Sequence, residues 1–253
     1  MTQRIFVTDI EVCLDNLESL PLAIAGGATR IELCSALALG GLTPSYGIMY
    51  QAAQQANVPI YAMIRPRQGD FLYAKDDIAS MLHDIDAAAK AGLQGVVFGA
   101  LTQEGDINLP AMRQLIQHAH QQQLGVTFHR AFDHCRHVSQ ALEHLIDLGC
   151  ERVLTSGTKP TALAGVDILR QLVKQADNRI AIMAGAGINA HNVRDIVTAS
   201  GVQQVHLSGK SQRPSQMQQV ASQAQMGAQQ HDDFLIPITN QHAIEEVVKA
   251  LAP

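Results

Sequence analysis

The chain has 253 residues, 47% hydrophobic and 16% charged, with a formal net charge of −5. Its Lys and Arg are scattered and only 4% of residues are aromatic, which excludes a nucleic-acid surface built on basic runs and stacking rings. No apolar run approaches the roughly 18 residues of a membrane span, and MTQRIFVTDIEVC at the N-terminus lacks a secretory pattern, so a soluble, cytoplasmic protein is expected.

Strand-like runs alternate with amphipathic segments along the chain. IEVC (10–13) precedes a helical segment at 16–25, RIELC (30–34) one at 45–56, and IYAMIR (60–65) one at 75–91. GVVFGA (95–100) precedes 110–123, GVTFHR (125–130) precedes 138–148, and RVLTSG (152–157) precedes 161–176. IAIMAG (180–185) precedes 190–200, and VHLSG (205–209) is the eighth strand. Ser45 after Thr43-Pro44, Pro110 and Asn189 mark the starts of the second, fourth and seventh helices. Residues 210–232 are rich in Gln and Ser and poorly patterned, a segment expected to cross the barrel mouth, form an oligomer contact or act as a flap. AIEEVVKAL (243–251) reads as a closing helix.

A weak repeat sets the architecture. GATRI (27–31), GLQGV (92–96), GCERV (149–153) and GVQQV (201–205) each place a glycine at a helix end, three linking residues, then a β-branched strand start. Their separations of 65, 57 and 52 residues each fit two βα units. The sum is a single-domain (β/α)₈ TIM barrel spanning 1–253, of the usual size of about 250 residues. A doubly wound sheet would need a glycine fingerprint after its first strand, and IEVCLDNLES has no glycine.

Barrel strands alternate between interior and helix layer. With Ile10, Val12, Ile31 and Leu33 outward, Glu11, Cys13, Glu32 and Cys34 turn inward. The same rule turns Arg65, Thr127, His129, His206 and Ser208 inward. Buried charges need partners, so Glu11 and Glu32 are expected to pair with Arg65. A structural ion-pair network is the competing reading. GVTFHRAFD (125–133) ends its apolar run in His129 and Arg130 with Asp133 following, the strand-end position from which barrel enzymes draw catalytic groups.

Arg65 and Arg67 form a guanidinium pair suited to a carboxylate or phosphate. MAGAG (183–187) and Ser208-Gly209 end the last two strands, where barrels often bind phosphate through backbone N–H groups; Lys210 and Arg213 lie close by in sequence. Cys13 and Cys34, expected to face each other, could hold a soft ion such as Cu(I), with Met63, His129 or His206 on the same interior. The four cysteines (Cys13, Cys34, Cys135, Cys150) show no C-x-x-C or zinc spacing and are expected reduced. No lysine lies between Lys90 and Lys159 or inside a strand, which excludes a Schiff-base aldolase, and no G-x-S-x-G or dinucleotide fingerprint occurs.

The chain resembles the CutC family, known as copper-homeostasis proteins. The matching motifs are IEVC (10–13), RIELCSALALGGLTPSYG (30–47), IRPRQGDF (64–71), TFHRAFD (127–133), RVLTSG (152–157), IMAGAGI (182–188) and VHLSG (205–209). The resemblance implies a TIM barrel, a cytoplasmic location and a homo-oligomer, often a dimer. It marks Glu11, Glu32, Arg65, Arg67, His129, Asp133 and the Gly185/Gly187 loop, and it matches Cys13 and Cys34 to cysteines discussed as copper ligands. After Ser208 the resemblance loosens, with Met217 and Met226-Gly227 as its remnants.

Two functions follow. One is a copper-binding homeostasis protein using Cys13 and Cys34. The other is an acid–base enzyme on a small anionic metabolite, phosphorylated ones included, at the C-terminal face of the barrel. In that reading Glu11, Glu32, Arg65, His129 and Asp133 form the catalytic set, and Arg67, Gly185, Gly187, His206, Ser208 and Gly209 hold the ligand.

Overall fold

Each glycine of the four-fold repeat closes a helix at positive φ: 102° at Gly27, 86° at Gly92, 84° at Gly149 and 79° at Gly201. Side chains avoid that region, so glycine there lets the chain turn from helix into strand without strain.

The computed structural model describes residues 9–218 and 232–252. Its parallel strands are β1 (Asp9–Leu14), β2 (Arg30–Leu33), β3 (Ile60–Met63), β4 (Gly95–Phe98), β5 (Gly125–Phe128), β6 (Arg152–Thr155), β7 (Ala181–Ala184) and β8 (Gln204–Leu207). They pair in sequential order, and β8 pairs back to β1 to close the barrel. The surrounding helices are α1 (Ser19–Ala25), α2 (Tyr46–Gln55), α3 (Lys75–Ala91), α4 (Leu109–Gln121), α5 (Val138–Asp147), α6 (Val166–Ala176), α7 (Val193–Ser200) and α8 (Gln241–Leu251). This is a (β/α)₈ TIM barrel. No helix among the described residues is long and apolar enough to cross a membrane.

Two of the three expected helix starts coincide with caps. Ser45 Oγ accepts the Ile48 N–H, and Asn108 Oδ1 accepts the Ala111 N–H with Pro110 in the first turn. The third does not. Asn189 accepts the His191 N–H inside a turn, so α7 begins at Val193. Similarly, α6 begins at Val166 because Thr161 closes a local turn by accepting the Ala164 N–H.

Several strands stop short of their expected ends. β3 ends at Met63, β5 at Phe128 and β8 at Leu207, which leaves Arg65, His129 and Ser208 in the loops just beyond. The Gln/Ser-rich stretch departs further from expectation. Lys210–Pro214 and Leu235–Thr239 pair as an antiparallel ladder, β9 and β10, with Thr239 opposite Lys210. β10 packs on α1, and α8 lies between α1 and α7 with Ile244 and Val247 buried. Met226 and Gly227 fall outside the described residues.

Register bears out five of the inward residues, Glu11, Cys13, Glu32, Thr127 and His206. Cys13 lies opposite Glu32, Glu11 opposite both Arg30 and His206, Glu32 opposite Tyr61, and Thr127 opposite Arg152. Partners in parallel strands share a face, so all of these point into the ring. The lower interior is ionic. Arg30 donates to Glu11 at 2.5 Å and to Gln204 at 2.9 Å, and meets Asp9 at 3.3 Å. Arg152 bonds Thr127 at 3.0 Å and meets Glu151 at 3.2 Å. The Tyr61 ring lies between the two guanidinium groups, 5.8 Å from Arg30 and 4.7 Å from Arg152. It fits because β4 and β5 offer Gly95 and Gly125 beside it; a Cβ at either would overlap the Tyr61 side chain.

Candidate functional site

Above that ionic layer, at the C-terminal ends of the strands, lies a cavity of about 440 Å³. The size suits a small metabolite. Cys13, Glu32 and His206 line it from the neighbouring strands β1, β2 and β8; Arg65 lines it from beyond β3, next to β2, and His129 from beyond β5, across the ring from β1.

On the first side, the carboxylate of Glu11 organises the rest. It is fully buried, salt-bridged to Arg30, and 2.8 Å from His206 Nδ1. Burial opposes its charge, but the His206 hydrogen bond and the Arg30 charge together hold its pKa below the usual carboxylate range. Burial likewise opposes charge on His206, and Cys13, Glu32 and Glu11 overcome it to raise the imidazole well above its ordinary pKa. Glu32 shifts the other way, because burial and the Glu11 charge raise it more than His206 lowers it.

Beyond β3 and β5 the groups are held by backbone. Arg65 donates to the carbonyls of Leu39 (2.9 Å), Gly41 (3.0 Å) and Gly69 (2.8 Å). It therefore does not pair with Glu11 or Glu32 as expected, since it sits in the loop beyond β3 and its guanidinium is taken up by loop carbonyls. Its charge stacks on Phe71 at 5.2 Å, and Phe71 packs on His129 at 4.8 Å. His129 Nδ1 accepts the Ala131 N–H at 3.3 Å, which assigns the proton to Nε2. Burial first, and the Arg65 charge second, drop its pKa to about 3, so the ring is neutral.

Among the described residues, five buried side-chain atoms have no hydrogen-bond partner, and three of them, Glu32 Oε1, Arg65 Nε and His129 Nε2, belong to residues lining this cavity.

The other expected site residues divide. Gly187 and Ser208 line the cavity; Gly185 and Gly209 do not. A Cβ at Gly185 would meet Leu154, and one at Gly209 would meet Ile244, so these two glycines allow close packing. Ala186, between the two loop glycines, lines the cavity at a φ of 80°, a strained setting for a residue with a Cβ. Arg67 points away: it bonds Asp70 at 2.9 Å and the Leu72 carbonyl at 2.8 Å, so it forms no guanidinium pair with Arg65. Asp133 is also outside the lining. It accepts bonds from the backbone of Ser156 and Thr158 and from Thr155 and Arg130, tying the β5 and β6 loops together.

Cys13 and Cys34 do not face each other. Cys13 is level with Glu32, and Cys34 lies one inward position further on, packed with Tyr61, Met63 and Val97 and donating to Glu32 at 3.5 Å. Burial, with Glu32 next, pushes the Cys34 thiol well above its ordinary pKa. Sequence reasoning missed Arg30, the partner of Glu11. The signal was present, because alternation that sends Ile31 outward sends Arg30 inward.

A closed eight-stranded barrel with a polar cavity at its C-terminal face defines a TIM-barrel protein of the kind whose strand ends carry function. The family model described as the CutC family matches residues 8–211. The chain belongs to the CutC family. It is 62% identical to a family protein CutC of Vibrio parahaemolyticus over 97% of this chain and 99% of that one. A Vibrio cholerae relative of the same name is 57% identical, covering 96% of each chain. A solved structure from Streptococcus agalactiae, whose name includes the words copper homeostasis protein CutC, shares 33% identity at a TM-score of 0.75, over 79% of this chain and 97% of that one. Thiamine phosphate pyrophosphorylase from Pyrococcus furiosus shares the fold at 17% identity and a TM-score of 0.59, over 96% of this chain and 95% of that one.

Proposed function

We propose that this protein is an enzyme acting by acid–base chemistry on a small anionic metabolite in the cavity at the C-terminal face. The observation that carries the reading is the trio of unpartnered buried atoms, Glu32 Oε1, Arg65 Nε and His129 Nε2, on residues lining one cavity. An unsatisfied buried polar group costs about 1–3 kcal/mol, and a ligand that pairs with all three returns that energy on binding.

The roles follow from chemistry. Arg65, with Lys210 and Arg130 also on the lining, attracts the negative charge of the substrate. His129, neutral and carrying its proton on Nε2, donates to a carbonyl or oxyanion without bringing a charge of its own. Phe71 between Arg65 and His129 keeps both in place and water away. The facing wall of Glu32 and His206 handles the proton.

Thermal unfolding against a panel of phosphorylated and carboxylated metabolites tests this. A true ligand at 100 times its Kd stabilises by about 2.7 kcal/mol, and Arg65→Met and His129→Asn abolish the shift. A flat panel on the folded wild type overturns the reading.

Copper is the second reading, drawn from the name of the Streptococcus protein and from two inward thiols. The donor pair fits Cu(I) poorly: Cys34 is offset from Cys13, protonated, and bonded to a carboxylate. Anaerobic Cu(I) titration of wild type and a Cys13→Ala/Cys34→Ala double variant is expected to give equal affinities; a loss confined to the variant restores the copper reading.

A further inference from the structure

The geometry of the β8–β1–β2 wall points to one more component: we propose that Cys13, Glu32 and His206 hold a single divalent transition-metal ion of the zinc class. The inference rests on the functional reading above and deepens it: with an ion bound, Glu32 and His206 would serve as its ligands, and the proton handling assigned to that wall would pass to a water the ion acidifies.

One ligand atom from each of the three residues lies within 4.8 Å of the other two. His206 Nε2 is 3.8 Å from Glu32 Oε2, a few tenths of an ångström wider than two ligands of one tetrahedral ion with bonds of about 2.0–2.2 Å, a gap that a small side-chain rotation closes. The register builds this trio, since Cys13 is level with Glu32 and Glu11 with His206.

Two further observations point to an ion. The first stands behind the imidazole. Glu11 is fully buried, fixed by Arg30, and 2.8 Å from His206 Nδ1. A carboxylate bonded to the far nitrogen of a histidine fixes the tautomer and ring of metal-binding histidines, and here it leaves Nε2 turned to Cys13 and Glu32. The second is Glu32 itself, 3% exposed, whose Oε1 has no hydrogen-bond partner.

Donor type selects the ion. One thiolate, one imidazole and one carboxylate form a mixed set suited to Zn²⁺ and its neighbours; Cu(I) favours more sulfur, and Mg²⁺ or Ca²⁺ only oxygen. Charge agrees: the thiolate and carboxylate balance a divalent ion, while Glu11 and Arg30 already balance each other. Three protein ligands beside a cavity of about 440 Å³ leave a coordination position open, the pattern of catalytic sites. A bound ion would acidify a water or polarise a substrate oxygen. The substrate class narrows accordingly to anions whose carbonyl or hydroxyl oxygen reaches this wall while their charge meets Arg65.

The test is anaerobic titration of reduced, metal-stripped full-length protein with Co²⁺, followed by visible absorption. One equivalent is expected to give thiolate-to-cobalt charge transfer and the intensified bands of a low-coordinate ion, both erased by Zn²⁺. Cys13→Ser, which changes little volume, removes the charge-transfer band. Glu32→Gln weakens binding by roughly 10-fold or more, and Glu11→Gln by roughly 10- to 100-fold. Cys34→Ser retains the spectrum, and circular dichroism establishes the fold of each variant. Absence of Co²⁺ and Zn²⁺ binding by folded wild type overturns the proposal, as does a charge-transfer band that survives Cys13→Ser, or retention of Cu(I) alone. No organic ligand enters this experiment, so a flat metabolite panel leaves it untouched. Metabolite binding by protein that takes no metal would overturn this inference and keep the functional reading.

Discussion

The lower interior of the barrel and its mouth use the same residue types, yet they differ in how those residues are satisfied. Below, Arg30 and Arg152 meet Asp9, Glu11, Glu151, Gln204 and Thr127, and of all these groups only Arg152 Nε is left without a partner. Above, Glu32, Arg65 and His129 each keep a buried atom open. Charge buried in a protein is tolerated when paired, and the lower layer shows pairing carried almost to completion inside the fold. At the mouth the pairing stops short at the residues that line a cavity. On the proposed function, the difference separates ionic groups that hold the barrel together from those that meet a ligand.

Breaking the lower layer is expected to have the largest effect. Arg30→Met leaves the buried Glu11 carboxylate with His206 alone and should cost about 3–5 kcal/mol in urea denaturation. A cost below about 1 kcal/mol would erase the contrast between the two regions. His129 tests the mouth through pH. Its pKa is about 3 in the fold, against about 6.5 in an unfolded chain. The unfolded state binds the extra proton first, so the stability present above pH 6.5 drains away as pH falls toward 3. At pH 4 wild type should lose about 3 kcal/mol more, relative to pH 7, than His129→Asn, which keeps an acceptor for the Ala131 N–H. Equal losses would mean that the imidazole is solvated.

Gly95→Ala sharpens the comparison from the packing side. Its methyl group would overlap the Tyr61 ring, an overpacking cost of about 1–3 kcal/mol, with Co²⁺ and metabolite binding unchanged. The smallest effect is expected at Arg67. It is half-buried, paired with Asp70 and Asp77 near the surface and absent from the cavity, so Arg67→Ala should shift the denaturation curve by less than about 1 kcal/mol and leave any ligand-induced stabilisation unchanged. A lost ligand response would bring Arg67 back into the site.

Much of this could be read from residues alone, and the failures are instructive. Alternation placed Glu11, Cys13, Glu32, Cys34 and His206 on the interior because a closed barrel leaves a strand only two faces. The glycine repeat found the barrel because a left-handed helix end leaves a mark in the sequence. Alternation also held Arg30, but its place at the strand start concealed it. Partner choice was the harder problem. Arg65 was expected to meet carboxylates and instead took three carbonyls from loops whose paths no local pattern fixes. The β9–β10 ladder stayed hidden for the same reason, since Lys210 finds Thr239 across 29 positions of chain.

Pinned between Arg30 and Arg152, with glycines beside it on β4 and β5, the Tyr61 ring is buried in the barrel interior level with Glu32. On the proposed function, substrate and product would share the cavity at the C-terminal face, so an accumulating product would compete with the next substrate.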